Sequence, residues 1–216
     1  MSNDVTLVIA IDGPAASGKG TLSRRIAEHY GLAHLDTGAL YRAVAYQVMK
    51  NAQDPSDKSA AVEAANNLDA DILHSVELRT DQVGKAASVV AAMPEVREAI
   101  LDYQRSFASK PPGGQRGAVL DGRDIGTVVC PDAPVKFFIT ATVDARTDRR
   151  FKELSGKGLP VTRDEVKQDL IARDRRDEDR DISPLRQDAH AHLLDTTKLS
   201  IEAAFAAVRA IIDETL

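Results

Sequence analysis

Ile11-Asp12-Gly13-Pro14-Ala15-Ala16-Ser17-Gly18-Lys19-Gly20-Thr21 is the stretch whose reading decides the fold. Val5 to Asp12, rich in Val, Leu and Ile, reads as a buried strand leading into it, and Leu22 to Tyr30 reads as a helix leading out. Strand, glycine-rich loop and helix in that order make a cradle for nucleotide phosphates. Gly13 and Gly18 let the backbone turn tightly and bring N–H groups toward an anion, while the helix adds its positive N-terminal end. Lys19 supplies a mobile charge for the β- and γ-phosphates. Gly20 stands where the general GxxxxGK[ST] pattern has a hydroxyl. A Mg²⁺ ion would therefore rest on phosphate oxygens and water, which it tolerates well, and Thr21 can still reach a phosphate. A plain glycine-rich turn beside a surface lysine is the alternative, and the flanking strand and helix speak against it.

A chain of 216 residues is long enough for one substantial α/β core with a small insertion and short for two independent domains. Hydrophobic residues at 43% and charged residues at 28% suit a globular protein, and no stretch has the apolar length of a membrane span. Met1-Ser2-Asn3-Asp4 carries no basic segment followed by an apolar one, so neither a secretory nor a mitochondrial leader is expected. The lone Cys130 excludes an internal disulfide and has no metal-ligand spacing around it. Both features point to the cytoplasm. The net charge of −5 argues against a nonspecific grip on nucleic acid but leaves room for a local basic pocket.

Working outward, Gly31 terminates the first helix, Leu32 to Asp36 forms a second strand, and a helix follows Thr37 through Val48. Asn51 to Ser59 is a loop and Ala60 to Asn67 is helical. Ile72 to Thr80 is either a short strand or irregular; Ala86 to Ala92 reads as helix, and Pro94 opens another that carries Val96, Ile100, Tyr103 and Phe107. After the break at Lys110 to Gly117, Ala118 to Asp121 is a third strand and Val135 to Thr140 a fourth. Helices are expected over Asp144 to Leu154 and Arg163 to Arg180. Leu193 to Asp195 makes a short fifth strand, and Ser200 caps a last helix whose Ile201, Phe205, Val208 and Ile212 share one face. Alternating strands and helices imply a mainly parallel sheet covered on both faces, with ligands at the carboxyl ends of the strands.

Three further clusters fall at that end. Asp36-Thr37-Gly38 with Tyr41-Arg42 follows the second strand. Arg42 offers a planar fork for phosphate and Thr37 a hydroxyl, although a helix cap and a surface arginine would look the same. Asp121-Gly122-Arg123-Asp124 closes the third strand, where a carboxylate can orient water around Mg²⁺ while an arginine and a second aspartate face substrate. Arg173, Arg176, Asp177 and Arg180 are spaced to share one helix face and to neutralise charge as a phosphoryl group moves. A solvated charged helix is the competing reading. The histidines, His29, His34, His74, His190 and His192, make no zinc pattern and are expected to be structural.

Together these clusters resemble the bacterial-type cytidylate kinases, P-loop nucleoside monophosphate kinases acting on CMP and dCMP. Asp12-Gly13-Pro14 with Gly18-Lys19-Gly20-Thr21 is similar to the family's phosphate loop, and Asp36-Thr37-Gly38 with Tyr41-Arg42 to its next motif. Ala86-Ala87-Ser88 with Pro94, Val96 and Arg97 resembles the base-contacting segment. The stretch from Asp121-Gly122-Arg123-Asp124 through Ile125-Gly126-Thr127-Val128-Val129 is close to the most specific motif of the family.

The resemblance implies an α/β P-loop kinase fold with a five-stranded parallel sheet of order 2-3-1-4-5. It implies one domain with its core at about 1–58 and 117–216, a reduced acceptor-binding insertion at about 59–116 and a lid at about 155–182. Gly13, Pro14, Ala15, Ala16, Ser17, Gly18, Lys19, Gly20 and Thr21 would hold ATP with Mg²⁺, and no protein metal ligand is implied. Ser88, Arg97 and Asp124 would read cytosine with help from Thr37, Asp177 would hold the sugar, and Arg42, Arg123 and Arg180 the acceptor phosphate. Lys19, Arg173 and Arg176, with Arg123, would stabilise the transferring phosphoryl group. The expected partners are ATP, CMP and dCMP, with no nucleic acid and no membrane, and the expected state is a monomer. Cytosine supports the pairing: its amine donates to a carboxylate while an arginine donates to N3 or O2, whereas uracil turns an oxygen toward the same carboxylate. The family usually carries a small sheet before the base-contacting segment; only Asp69 to Gly84 is available for it here.

Overall fold

The computed structural model describes residues 6–215, the side chains of Ala70 and His74 excepted. Met1-Ser2-Asn3-Asp4 and Val5, on which the leader and strand-start readings rest, lie outside the described residues.

Five strands make one sheet in the order β2-β3-β1-β4-β5: β1 (Leu7–Asp12), β2 (Ala33–Asp36), β3 (Gly117–Gly122), β4 (Val135–Thr140) and β5 (His192–Asp195). This is the expected parallel P-loop kinase sheet. β1 lies at its centre, parallel to β3 from Leu7 opposite Gly117 to Asp12 opposite Gly122, and parallel to β4 from Ile9 opposite Val135 to Asp12 opposite Phe138. Covering by helices on both faces explains why Ile9, Ala10 and Ile11 are all fully buried, an apolar run with no alternation. One core packs Ile11, Leu22, Ile26 and Phe137 against Phe205 and Val208 of the last helix.

The helices are α1 (Lys19–Tyr30), α2 (Thr37–Lys50), α3 (Lys58–Asn66), α4 (Asp81–Val90), α5 (Pro94–Ser109), α6 (Val143–Gly156), α7 (Arg163–Glu178) and α8 (Ile201–Thr215). Local chemistry sets their ends. Gly31 is left-handed (φ 62°), and Leu32 N–H donates to the Ala27 carbonyl at 2.8 Å, closing α1. At the start of α7 the Thr162 side chain accepts from Glu165 N–H while the Glu165 side chain accepts from Thr162 N–H, a reciprocal cap. The Ser200 hydroxyl accepts from Ala203 N–H at 3.2 Å before α8, as expected.

The chain divides into two compact units, 1–35 with 108–216, and 36–107. The first holds nearly all of the sheet. In the second, α2 packs on α3 and α4, and Leu40, Val44 and Val48 form its fully buried stripe.

Some expectations need correction. Of the two readings left open for 72–80 the strand falls and the irregular one holds: two 3-10 turns, Ala70–His74 and Val76–Arg79, lie there, where Asp69 caps Asp71 N–H and Thr80 closes onto Glu77. α6 runs to Gly156 rather than Leu154, and α7 ends at Glu178, two residues short of Arg180. Ile125–Val129, unassigned in the sequence reading, is a π-helical turn.

Candidate active site

The loop between β1 and α1 is built around two glycines with different tasks. Gly13 has φ 150°, and a Cβ there would run into the backbone of Ile139 on β4, so the loop leaves the sheet flush against its neighbour strand. Gly18 has φ 92° and begins α1; no side chain caps that helix and no acidic residue stands in its first turn. The positive end of the helix therefore meets no carboxylate in its own first turn, an arrangement that suits an anion. Lys19 Nζ folds back to donate to the Pro14 carbonyl at 3.3 Å. Ala16 also sits at positive φ, 58°.

A brace of basic side chains, unseen in the sequence reading, fixes this loop from the outside. Arg146 on α6 donates to the Ala15 carbonyl at 3.2 Å and the Ala141 carbonyl at 3.0 Å, and its Nη2 meets Asp174 Oδ2 of α7 at 2.6 Å. Arg149 donates to the Ser17 carbonyl at 3.3 Å and the Thr196 carbonyl at 2.6 Å. The Thr196 hydroxyl adds its own donation to Ser17 at 2.8 Å. Because the cations reach this loop through main-chain carbonyls and not through its side chains, nothing in residue spacing announces them. Beside the brace lies a cavity of about 190 Å³ bordered by Ser17, Thr21, Arg149, Thr196, Leu199 and Ile201.

At the end of β3, Asp121 is buried and hydrogen-bonded to His34 Nε2 at 2.8 Å. Its Oδ1 lies 3.8 Å from where a Cβ on Gly20 would stand. The carboxylate thus occupies the neighbourhood of the hydroxyl that Gly20 lacks, and the donor set suits a Mg²⁺ ion held through water. His34, expected to be structural, touches this carboxylate. Among the described residues no group of three or more His, Cys, Asp or Glu is arranged to hold a metal directly.

Arg123, Asp177 and Arg180 come together as one cluster. Asp177 Oδ2 accepts from Arg123 Nε at 2.7 Å and Oδ1 from Arg180 Nη2 at 2.9 Å. Burial works against the Asp177 charge, but Arg123, Arg173 and Arg180 outweigh it and hold its pKa below the ordinary carboxylate value. The Arg123 pKa is raised: burial opposes its charge, and Asp177, with Asp174 and Asp121, overcomes that. The shared helix face is not as expected. Positions 166, 170, 174 and 177 make the buried stripe of α7, Arg176 is exposed, and Arg180 reaches Asp177 from beyond the helix end. Asp124 is buried at the start of the π-helical turn.

The remaining candidates belong to the second unit. Thr37 is buried at the start of α2, and Arg42 Nη1 lies 3.4 Å from Asp36 Oδ2, a half-exposed pair. Ser88 is buried on α4 with its hydroxyl donating to the Gly84 carbonyl at 3.4 Å. Arg97 is buried on α5, donates to the Ala91 carbonyl at 3.2 Å and lies over the Tyr41 ring at 5.3 Å. The face of the Tyr41 ring adds a cation–π attraction to the guanidinium.

The cytidylate kinase family model matches residues 9–214. The chain belongs to the cytidylate kinase family. A cytidylate kinase of Rhodospirillum rubrum is 55% identical over 93% of this chain and 94% of its own length. One from Methylobacterium sp. (strain 4-46) is 58% identical over 83% and 84%. Among solved structures, an uncharacterized protein from Eubacterium ventriosum shares the fold at a TM-score of 0.56 and 16% identity, covering 96% of this chain and 98% of its own. Members of the family are kinases, and the loop, helix end and cationic clusters of this chain are of the kind that binds polyphosphate.

Proposed function

We propose that this protein transfers the γ-phosphoryl group of ATP to CMP and dCMP, giving CDP and dCDP. The observation that carries the reading is the pairing of an uncapped helix behind a Gly13–Thr21 loop with the Arg123–Asp177–Arg180 cluster, in a chain 55% identical to a cytidylate kinase. In this reading Gly13, Pro14, Ala15, Ala16, Ser17, Gly18, Lys19, Gly20 and Thr21 hold the donor phosphates, and the neighbouring cavity takes the donor's nucleoside end. Arg42, Arg123 and Arg180 bind the acceptor phosphate, and Asp177 the sugar. Ser88, Arg97 and Asp124 read the base, assisted by Thr37. Residues of about 59–116 serve the acceptor and those of about 155–182 act as a lid. Mg²⁺ supplies charge neutralisation on the donor phosphates, and Asp121 would hold water of its shell.

The acceptor phosphate is already a nucleophile and needs no dedicated base, so positioning and charge neutralisation carry the catalysis. Lys19 and Arg173 supply positive charge as negative charge shifts along the line from donor to acceptor, and Arg176, exposed on α7, would join them when the proposed lid closes. Asp177 keeps Arg123 ionised and fixed in plane, which presents its remaining N–H groups in one orientation. No helix among the described residues is long and apolar enough to cross a membrane. With a net charge of −5, the protein is read as a cytoplasmic monomer acting on small nucleotides rather than on nucleic acid.

An ADP-release assay over CMP, dCMP, UMP and AMP tests the proposal. CMP and dCMP should be used in strong preference, and equal turnover of AMP and CMP would defeat it. The Asp124→Ala variant should lose about ten- to a hundredfold in kcat/KM for CMP, the scale of an unpaired polar group in a buried site, with ATP binding intact.

A further inference from the structure

Asp12, at the joint between β1 and the phosphate loop, has no part in any role above, yet both of its oxygens are committed. Ile125 N–H donates to Oδ1 and Gly126 N–H to Oδ2, each at 2.8 Å. These are the first two N–H groups of the π-helical turn that begins immediately after Asp124. The first N–H groups of a helical turn have no partner within it. A neighbouring side chain usually caps them, but no side chain caps this turn from Asp124. Asp12 supplies the cap from 113 positions away in sequence.

The turn is fixed from its other side as well. Val128 and Val129 N–H both donate to the Asp124 carbonyl, at 2.9 and 3.1 Å, and Cys130 N–H to the Ile125 carbonyl at 2.7 Å. The two peptide groups that follow Asp124, on either side of Ile125, are thereby held through both their N–H and their carbonyl, so the backbone that leaves Asp124 has little freedom to move. Room around the cap is short. A Cβ on Gly126 would stand 3.2 Å from Lys136 Cδ and 3.4 Å from Asp12 Oδ2. An acid is also a costly residue to keep there: burial pushes its pKa up to about 7 against the pull of the two N–H groups. Packing alone would be served by a neutral side chain.

We propose that Asp12 is a positioning residue for base selection, tying the turn that aims Asp124 to the strand end that launches the phosphate loop. The inference rests on the assignment of Asp124 to the base. It gives a buried carboxylate whose oxygens are taken by backbone N–H groups a task in coupling the donor loop to the acceptor-reading turn.

The test is the ratio of kcat/KM for CMP to that for UMP, measured for the wild type, Asp12→Asn, Gly126→Ala and Asp124→Ala. Asparagine keeps one acceptor oxygen and turns an amino group toward a backbone N–H, so one of the two bonds is lost with little change in volume. The ratio should fall about tenfold, the scale of one unsatisfied buried donor, with the KM for ATP shifted less than about twofold. Gly126→Ala leaves Asp12 in place, brings a methyl group against Lys136 Cδ and into contact with Asp12 Oδ2, and should lower the ratio in the same direction by a smaller factor; if Asp12→Asn does not fold, this variant decides. Retention of the wild-type ratio in Asp12→Asn and Gly126→Ala, while Asp124→Ala loses it, overturns the positioning role and leaves the base assignment standing. A uniform fall in kcat with the ratio unchanged overturns it too, since a merely structural residue would behave that way. If Asp124→Ala itself keeps the ratio, the base assignment falls and the positioning role falls with it.

Discussion

Asp12 at the end of β1 and Asp177 at the end of α7 are both buried carboxylates of the same unit, and their surroundings push them in opposite directions. Asp12 is met by two backbone N–H groups and feels Asp124 nearby, so desolvation prevails and its pKa rises to about 7. Asp177 is met by guanidinium groups, and Arg123, Arg173 and Arg180 overcome the same desolvation. Dipoles hold a carboxylate in place; full charges are needed to keep it ionised out of water. The difference separates two uses of an acid at one sheet edge. Asp12 caps a backbone turn, and Asp177 gathers Arg123 and Arg180 at one point.

The largest effect should come from Asp177→Ala. It strands Arg123 and Arg180, whose side chains are 14% and 6% exposed, without their shared acceptor. Removing one partner of a buried ion pair costs about 3–5 kcal/mol, which urea denaturation would read directly. Part of that loss should return on adding CMP, whose phosphate is the proposed replacement anion. A loss under about 1 kcal/mol would mean that the cluster is better solvated than its geometry implies.

Next in size is the pH dependence. For Asp12 the folded pKa of about 7 lies above the ordinary carboxylate value of 3.8. A raised pKa means that its contribution is fully present below the unfolded value and is lost as pH climbs toward 7. Asp12→Asn should therefore gain stability relative to wild type as pH rises from about 4 to 7, the window set by those two values. Asp177, with its pKa lowered, acts in the opposite sense: its contribution is present above the unfolded value and vanishes as pH falls through the folded one. A wild-type minus Asp12→Asn stability difference that stays flat across the window would show that backbone N–H groups alone keep Asp12 ionised.

The smallest effect concerns a third carboxylate of the same edge, Asp121, which takes a hydrogen bond from His34 at 2.8 Å. His34→Leu should cost about 1 kcal/mol in stability and raise the Mg²⁺ concentration for half-maximal ATP-analogue binding about fivefold, while His34→Gln, which keeps a donor, should recover most of both. An unchanged Mg²⁺ titration would place Asp121 outside the shell of the ion.

What could be read from the chain was what is local or periodic. The glycine turn after β1, the Gly31 stop, the Ser200 cap and the run of Ile9 to Ile11 each depend on neighbours within a few residues, and the structure has them as expected, except that α1 already begins at Lys19 rather than at Leu22. The sheet order followed from the family resemblance. What stayed hidden depends on distance. Asp12 reaches Ile125 across 113 positions, Arg149 reaches Thr196 across 47, and His34 finds Asp121 across 87. None of these carries a periodicity, and a carbonyl acceptor has no side-chain identity to recognise. The charged end of α7 shows the same limit within a single helix. Spacing grouped Arg176 with Asp177, but adjacent residues are about 100° apart around the axis, and the buried stripe through Val166, Leu170 and Asp174 selects Asp177 and leaves Arg176 in solvent.

Gly13 shows how easily a mutational experiment here would be misread. Any side chain at that position meets the main chain of Ile139, so a replacement must pry two central strands apart before it meets any nucleotide. An inactive Gly13 variant is a lesion of the sheet and makes a poor nucleotide-free control; Lys19, in the first turn of α1, is the better position at which to test the proposed catalytic role, because a shorter side chain there adds no atom that could clash.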